Sequence, residues 1–285
     1  MFRIWLGRLS RSSFCHHHSL NNPTRLMDRG AGMKTESSPT QQVREERRIV
    51  LLGKSGDGKS SSGNTILGRQ EFSVGHGARS SEAGAQSASA LINGKQIKII
   101  DMPGIFDTHM SEHDVKCEIM RSMIHCFPGA HVFIIVIKVQ RYTEEEKIIR
   151  KITYVFGEDV LKYSLALFTH GDQLVKDQTI QEFVEQSPEL NRFVQKCGGR
   201  CHVIDNKYWN QEQNEYRSNK VQVEKLLNTI EQVVEQNGGG CYTNEMLQDV
   251  ERRIQKEEKR IRQNRYDIKG KIKKIMYGTQ VSKSV

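Results

Sequence analysis

Residues 48–67 read RIVLLGKSGDGKSSSGNTIL, and this stretch decides the fold. Residues 48–52 are a short apolar run ending in a glycine loop, and residues 59–67 carry a helical pattern, so the order is strand, loop, helix. The loop, GKSGDGKS at 53–60, fits G-x-x-x-x-G-K-S and sits where that motif works, between strand and helix. Gly53, Gly56 and Gly58 let backbone N–H groups wrap a polyphosphate, and the positive end of the following helix faces the same anion. Lys54, Ser55, Asp57 and Ser61 complete the expected contact set. Lys59 is placed to reach the β- and γ-phosphates as a catalytic point charge, and the Ser60 hydroxyl to coordinate Mg2+.

The pattern continues outward from this unit. Residues 87–92 and 96–101 are short strands joined by Asn93-Gly94, a tight-turn signal for a hairpin. A helix is expected near 112–126, then the strongly apolar strand HVFIIVI at 131–137, then a helix over 143–155 that opens on a capping box at Thr143-Glu144-Glu145-Glu146. A strand at 164–169, a helical region at 178–197, a short strand at 202–205 and a helix at 221–236 complete the series. Strands alternating with helices, with continuous apolar runs in the central strands, predict an α/β domain: a doubly wound, mostly parallel sheet covered on both faces. That domain runs over 48–237, with an N-terminal extension at 1–47 and a C-terminal helical extension at 241–285.

Two further elements fall on strand ends. Asp101-Met102-Pro103-Gly104 closes the strand QIKIID, which puts the Asp101 carboxylate at the ligand edge of the sheet, where it is placed to hold Mg2+ directly or through water. Gly104 can offer its N–H to a γ-phosphate with no side chain in the way. Leu167-Phe168-Thr169-His170-Gly171-Asp172 ends the next apolar strand. A carboxylate there accepts two hydrogen bonds, from the N1–H and the exocyclic amine of guanine, whereas adenine has no matching pair of donors. Thr169 and Asp172 have the T/N-x-x-D spacing of guanine readers, and His170 stands where many GTPases carry lysine, with an imidazole suited to stacking on the base.

The succession GKSGDGKSSSGNTILG, IDMPGIFDT, GAHVFIIVIKVQRYTEEEK, LALFTHGDQL and CHVIDNK closely resembles the GIMAP (immunity-associated nucleotide-binding) family of GTPases. That family has the avirulence-induced-gene type of G domain, in the septin-like branch of P-loop GTPases, and the resemblance runs from about Arg48 to Arg260. It implies GTP or GDP with Mg2+ as ligands, His170 and Asp172 as base readers, and Asn206 of IDNK as the last guanine contact with Lys207 alongside. It also implies a homodimer or oligomer formed through the nucleotide faces of the G domains.

The chain departs from the family pattern at two places. Glu82 stands near the Thr expected to reach Mg2+ and the γ-phosphate, with Ala85 near an expected Cys, and a glutamate there repels the phosphate. Ile105 follows Asp-x-Pro-Gly where Ras-like enzymes place a water-orienting glutamine. Both predict slow intrinsic hydrolysis, and Arg79, His76 and Arg141 are candidates for a group supplied in trans. Two functions stay open: a slow GTPase acting as an assembly switch, and a GTP-bound scaffold that oligomerises at membrane surfaces without hydrolysis.

The charge of the 285 residues, 43 Lys+Arg against 34 Asp+Glu for a net +9, invites a nucleic-acid reading. Its placement argues against one. Residues 1–48 hold 9 basic and 4 acidic side chains, residues 49–251 hold 22 and 27, and residues 252–285 hold 12 and 3. The body is acidic and the ends are basic, so no nucleic-acid partner is expected. The opening run MFRIWLGRLSRSSF admits two readings, a basic amphipathic leader similar to a mitochondrial presequence and a solvated leader bypassed by starting at Met27 or Met33. At the other end, Met246, Val250, Ile254 and Ile261 form a narrow apolar seam on a charged helix, and Lys269 to Lys274 with Ile268, Ile272, Ile275 and Met276 are a candidate for peripheral contact with anionic lipid. No stretch approaches the ~18 uninterrupted apolar residues of a spanning helix. The six cysteines are irregularly spaced; Cys197 and Cys201 lack the second close pair of a zinc ribbon, so all six read as reduced thiols of a cytoplasmic protein.

Overall fold

The structure, a computed structural model, describes residues 45–74, 85–104, 128–140, 145–210 and 215–243, together with parts of 115–125 and 245–264. All of these lie in one unit, Val43–Val285. The elements are β1 (Glu46–Leu52), α1 (Lys59–Leu67), β2 (Gln86–Ile92), β3 (Lys95–Asp101), β4 (Val132–Lys138), α2 (Glu145–Phe156), a 3-10 segment (Glu158–Tyr163), β5 (Ser164–Thr169), α3 (Ile180–Glu185), α4 (Pro188–Lys196), β6 (Cys201–Val203) and α5 (Asn219–Gln236). The six strands form one sheet in the order β2-β3-β1-β4-β5-β6. Only β2 runs antiparallel, joined to β3 through the Asn93-Gly94 turn; the other neighbours pair in parallel. The expected mostly parallel, doubly wound sheet is the one observed.

Its hydrophobic logic is visible within β1. Ile49 and Leu51 point to one face, where they pack with Ile66 and Leu67 of α1 and Leu226, Ile230 and Val233 of α5. Val50 and Leu52 point to the other, against Phe133, Ile148 and Ile152 of α2, and Phe193 of α4. Alternation of side chains along a strand divides the run between two cores, so every residue from 49 to 52 is apolar and fully buried. Of the described residues of the 112–126 stretch, Val115, Glu118, Ile119, Ser122 and Met123 are α-helical and His125 is 3-10. Val115, Ile119 and Met123, spaced by four, join the second core.

The helical region expected over 178–197 is two helices. Pro188 occupies the first turn of α4, and its ring disfavours a helical conformation at Ser187, which instead caps α4 by accepting the Leu190 N–H. The capping box expected at Thr143 falls outside the described residues; one that was not expected opens α3, where Thr179 and Glu182 each bond the other's backbone N–H.

Beyond α5 the chain turns at Gly238 and Gly239, both with positive φ. Tyr242 then returns to the sheet. Its N–H donates to Ala130 O at 2.7 Å, its hydroxyl donates to Phe156 O, and its ring lies edge-on to Phe133 and Tyr163. Gly129 makes room for this return, since a Cβ there would meet Tyr242 O at 2.6 Å. The described residues over 245–264 are helical; Ile261 is exposed, and Met246, Val250 and Ile254 of the expected seam lie outside the described side chains. No described helix is long and apolar enough to cross a membrane.

Candidate nucleotide site

All the parallel strands end at one edge, and the 53–60 loop lies there between β1 and α1. Gly56 and Gly58 adopt left-handed φ of 83° and 87°, which a side chain would oppose. Gly53 is required for a different reason: a Cβ would fall 2.6 Å from Val136 O of β4. Lys54 O accepts the Asp57 N–H at 3.3 Å, closing a turn, and also the Lys59 ammonium at 2.8 Å. Lys59 is 7% exposed, so its charge is held over the loop instead of in bulk water. No acidic residue in the first turn of α1 offsets the positive helix end. Burial, opposed by the Lys54 backbone and by nearby lysines, pushes the Asp57 carboxyl above its ordinary range.

Beside this loop Ser60 Oγ donates to Asp101 Oδ2 at 2.5 Å. The second oxygen of Asp101 is buried with no hydrogen-bond partner among the described residues. Burial raises the Asp101 carboxyl, with the Ser60 bond and the Lys59 charge acting against that rise. A hydroxyl and a half-satisfied carboxylate make a hard oxygen pair suited to Mg2+, which usually takes one or two protein oxygens and leaves its remaining positions to phosphate and water. No group of three or more acidic, His or Cys side chains competes for a metal among the described residues. Gly104 lies directly over the loop, where a Cβ would come within 2.7 Å of Ser55 N.

The base end is tied to the phosphate end. Thr169, fully buried at the tip of β5, donates from Oγ1 to Asp57 O at 2.9 Å. His170 follows with a left-handed φ of 58°, its Nδ1 3.0 Å from Thr169 Oγ1. Asn206 Oδ1 accepts from Thr65 Oγ1 of α1 at 2.8 Å, and its Nδ2 lies 3.4 Å from Ser62 Oγ. The Lys207 ammonium sits 4.7 Å from the centre of the Tyr208 ring. A cleft of about 1480 Å3 begins here at His170, Asn206 and Lys207 and runs between α1 and α5 as far as Asn93 of the β2–β3 turn, so only its near end adjoins these residues. Asp172 stands just outside the cleft, half-buried, with Gln173 Nε2 donating to it at 2.7 Å.

The sequence-expected positions from Gly53 to Ser61, with Asp101, Gly104, Thr169, His170, Asp172 and Asn206, therefore gather along one sheet edge. His76, Arg79, Glu82, Ile105 and Arg141 lie outside the described residues. Two buried residues with no motif signature hold chain segments next to these elements. Asn64, 4% exposed on α1, accepts the N–H groups of Glu71 and Phe72 at 2.8 Å and donates to Gln70 Oε1 and Phe72 O at 2.9 Å. Asp205 bonds both base-end turns. The available signal for Asn64 was a polar side chain on the buried side of a short helix.

A sheet of this order with a phosphate loop after its first strand is the architecture of a P-loop GTPase G domain. Toc33 from Arabidopsis thaliana shares it, with a TM-score of 0.55 over 66% of this chain and 84% of that one at 19% identity. The chain belongs to the AIG1 family, whose profile matches residues 47–263. It is similar to immune-associated nucleotide-binding protein 13 of Arabidopsis thaliana, 33% identical over 76% of this chain and 65% of that protein, and to protein 10 of the same series, 32% identical over 75% and 47%. The human GTPase IMAP family member 8 is 30% identical over 70% of this chain and 29% of its own length. The chain thus spans about half to two thirds of the length of these two plant relatives.

Proposed function

We propose that this G domain binds GTP and GDP with Mg2+, hydrolyses GTP slowly, and works as an assembly switch through nucleotide-dependent pairing of G domains. The observation that carries the reading is the Ser60–Asp101 pair with its orphaned buried oxygen, set against the glycine loop. The N–H groups of the loop and the N-terminus of α1 bind the phosphates, and Lys59 exchanges Lys54 O for phosphate oxygen. Ser60 and Asp101 hold the cation, which supplies charge neutralisation to the phosphates. Gly104 brings a backbone donor to the terminal phosphate. Thr169, His170, Asp172 and Asn206 take the guanine. For Toc33, structures with Mg2+ and GMPPNP and with GDP and Mg2+ are known, and dimerisation is described as important for the GTPase activity of Toc33 and Toc159.

Single-turnover hydrolysis of radiolabelled GTP, run from nanomolar to tens of micromolar protein, tests this. A slow, Mg2+-dependent rate that rises with protein concentration is expected. A rate per molecule independent of concentration removes the pairing step, and no hydrolysis at any concentration leaves the GTP-bound scaffold. The same proposal places the protein in the cytoplasm, with peripheral membrane contact through residues 262–285. Equal flotation with anionic vesicles after deletion of those residues would sink the lipid contact.

A further inference from the structure

Asp205 leaves β6 two residues after its end, is 2% exposed, and bonds backbone on two separate turns. Its Oδ1 accepts the N–H groups of Lys207 at 2.9 Å and Tyr208 at 2.5 Å, and its Oδ2 accepts the N–H of Asp172 at 3.2 Å. Its own backbone is held by Asn219, the first residue of α5, through Asp205 N to Asn219 Oδ1 at 3.1 Å and Asn219 Nδ2 to Asp205 O at 2.6 Å. A buried carboxylate is costly unless hydrogen-bonded, and these donors supply the compensation. Burial tends to raise Asp205, but its bonds with Asp172 and with three backbone N–H groups outweigh that and hold it low; Asp172 beside it is pushed up by burial and by the Asp205 contact. The Asn219 amide thus anchors Asp205 from α5.

We propose that Asp205 is a positioning residue for guanine specificity: its carboxylate fastens the turn of His170 and Asp172 to the turn of Asn206 and Lys207, fixing Asp172 where it reads the base. This rests on the guanine-nucleotide reading above. A purely structural Asp205 would weaken every nucleotide alike. A positioning Asp205 acts on the contact between Asp172 and the exocyclic amine of guanine, which hypoxanthine lacks.

The test is binding of GTP, ITP and inorganic tripolyphosphate to the full chain carrying Asp205→Asn or Asp205→Ala. Asparagine keeps a carbonyl oxygen for Lys207 and Tyr208 but turns an amide donor toward the Asp172 N–H, so it cuts one tie and spares the fold. The GTP-to-ITP affinity ratio is expected to shrink by about tenfold or more, the worth of one hydrogen bond to a charged group. Tripolyphosphate binding should stay as in the wild type. A wild-type ratio in Asp205→Asn overturns the proposal, as does an equal loss for all three ligands. Wild-type protein that binds GTP and ITP alike overturns the guanine reading and the proposal with it, whereas a wild-type preference that survives in both variants overturns the proposal alone.

Discussion

Ser60 Oγ reaches Asp101 Oδ2 across 2.5 Å, joining the first turn of α1 to the end of β3 and leaving Asp101 Oδ1 buried without a partner among the described residues. Because burial raises Asp101, the native state holds this proton more tightly than the unfolded chain does, so stability falls as pH rises from the ordinary carboxylate range through the raised value. Once ionised, the group is a net cost that Asp101→Asn removes. The variant should melt higher than wild type in EDTA, yet lose most of the extra gain that Mg2+ adds to GTP. Thermal unfolding in the two conditions checks both halves, and an undiminished Mg2+-dependent gain would refute the metal role.

Asn64 fixes the strand of chain that leaves α1. Asn64→Ala strips partners from the buried Phe72 N–H and from Glu71 N–H, and should cost about 2–4 kcal/mol in chemical denaturation. Gly63→Ala attacks the same contact from the other side, because its methyl would come 2.7 Å from Phe72 Cε2. Loss of less than about 0.5 kcal/mol in both, the level of an ordinary surface change, would show that this contact is dispensable.

One buried histidine and one half-buried one predict acid sensitivity. Burial, then Arg48 and Arg47, pushes His131 down to about 4; burial, then Lys225, does the same to His202. His131 Nδ1 accepts the Arg48 N–H at 2.9 Å, and His202 Nε2 lies 2.9 Å from Thr229 Oγ1. With unfolded values near 6.5, the unfolded chain binds more protons between pH 6.5 and 4, so stability drops as pH falls through that window. His131→Asn with His202→Gln, which imitate the two ring nitrogens, should flatten the fall in melting temperature over this range. An equally steep fall would assign it to other groups.

Cys197 and Cys201 should be poor nucleophiles, since burial pushes their thiols up to about 12 and about 11. Alkylation at pH 8, read by peptide mass spectrometry, is expected to reach half-buried Cys241 well before either of them, and to reach both once denaturant is added. Early modification of Cys197 would contradict the burial described for it.

The fold was legible because its signals are local and repeated. Helix α1 at 59–67 and strand β5 at 164–169 lie where the pattern put them, each bounded by a glycine or a strand-end polar residue. The break at Ser187-Pro188 was also written in the chain, but one proline inside a long amphipathic run is easily absorbed into it. Within the site, glycines and strand-end carboxylates could be read because their chemistry depends on sequence spacing. Asp205 could not, because the partner that sets it apart from a local turn is the N–H of Asp172 on another loop, and that pairing exists only once β5 and β6 lie side by side. Tyr242 was hidden for the same reason, as nothing near the glycine run names Ala130 or Phe156 as its neighbours.

The Ala130–Tyr242 bridge gives the molecule a direction. Ala130 precedes β4, at the amino-terminal ends of the parallel strands, while the phosphate loop, Asp101 and Thr169 occupy the carboxyl-terminal ends. Between them α5, 18 residues and roughly 27 Å long, runs the height of the domain. The chain thus passes Tyr242 at the pole remote from the ligand. Two copies meeting edge to edge at the nucleotide would therefore hold their Ala130–Tyr242 bridges at opposite extremities of the pair.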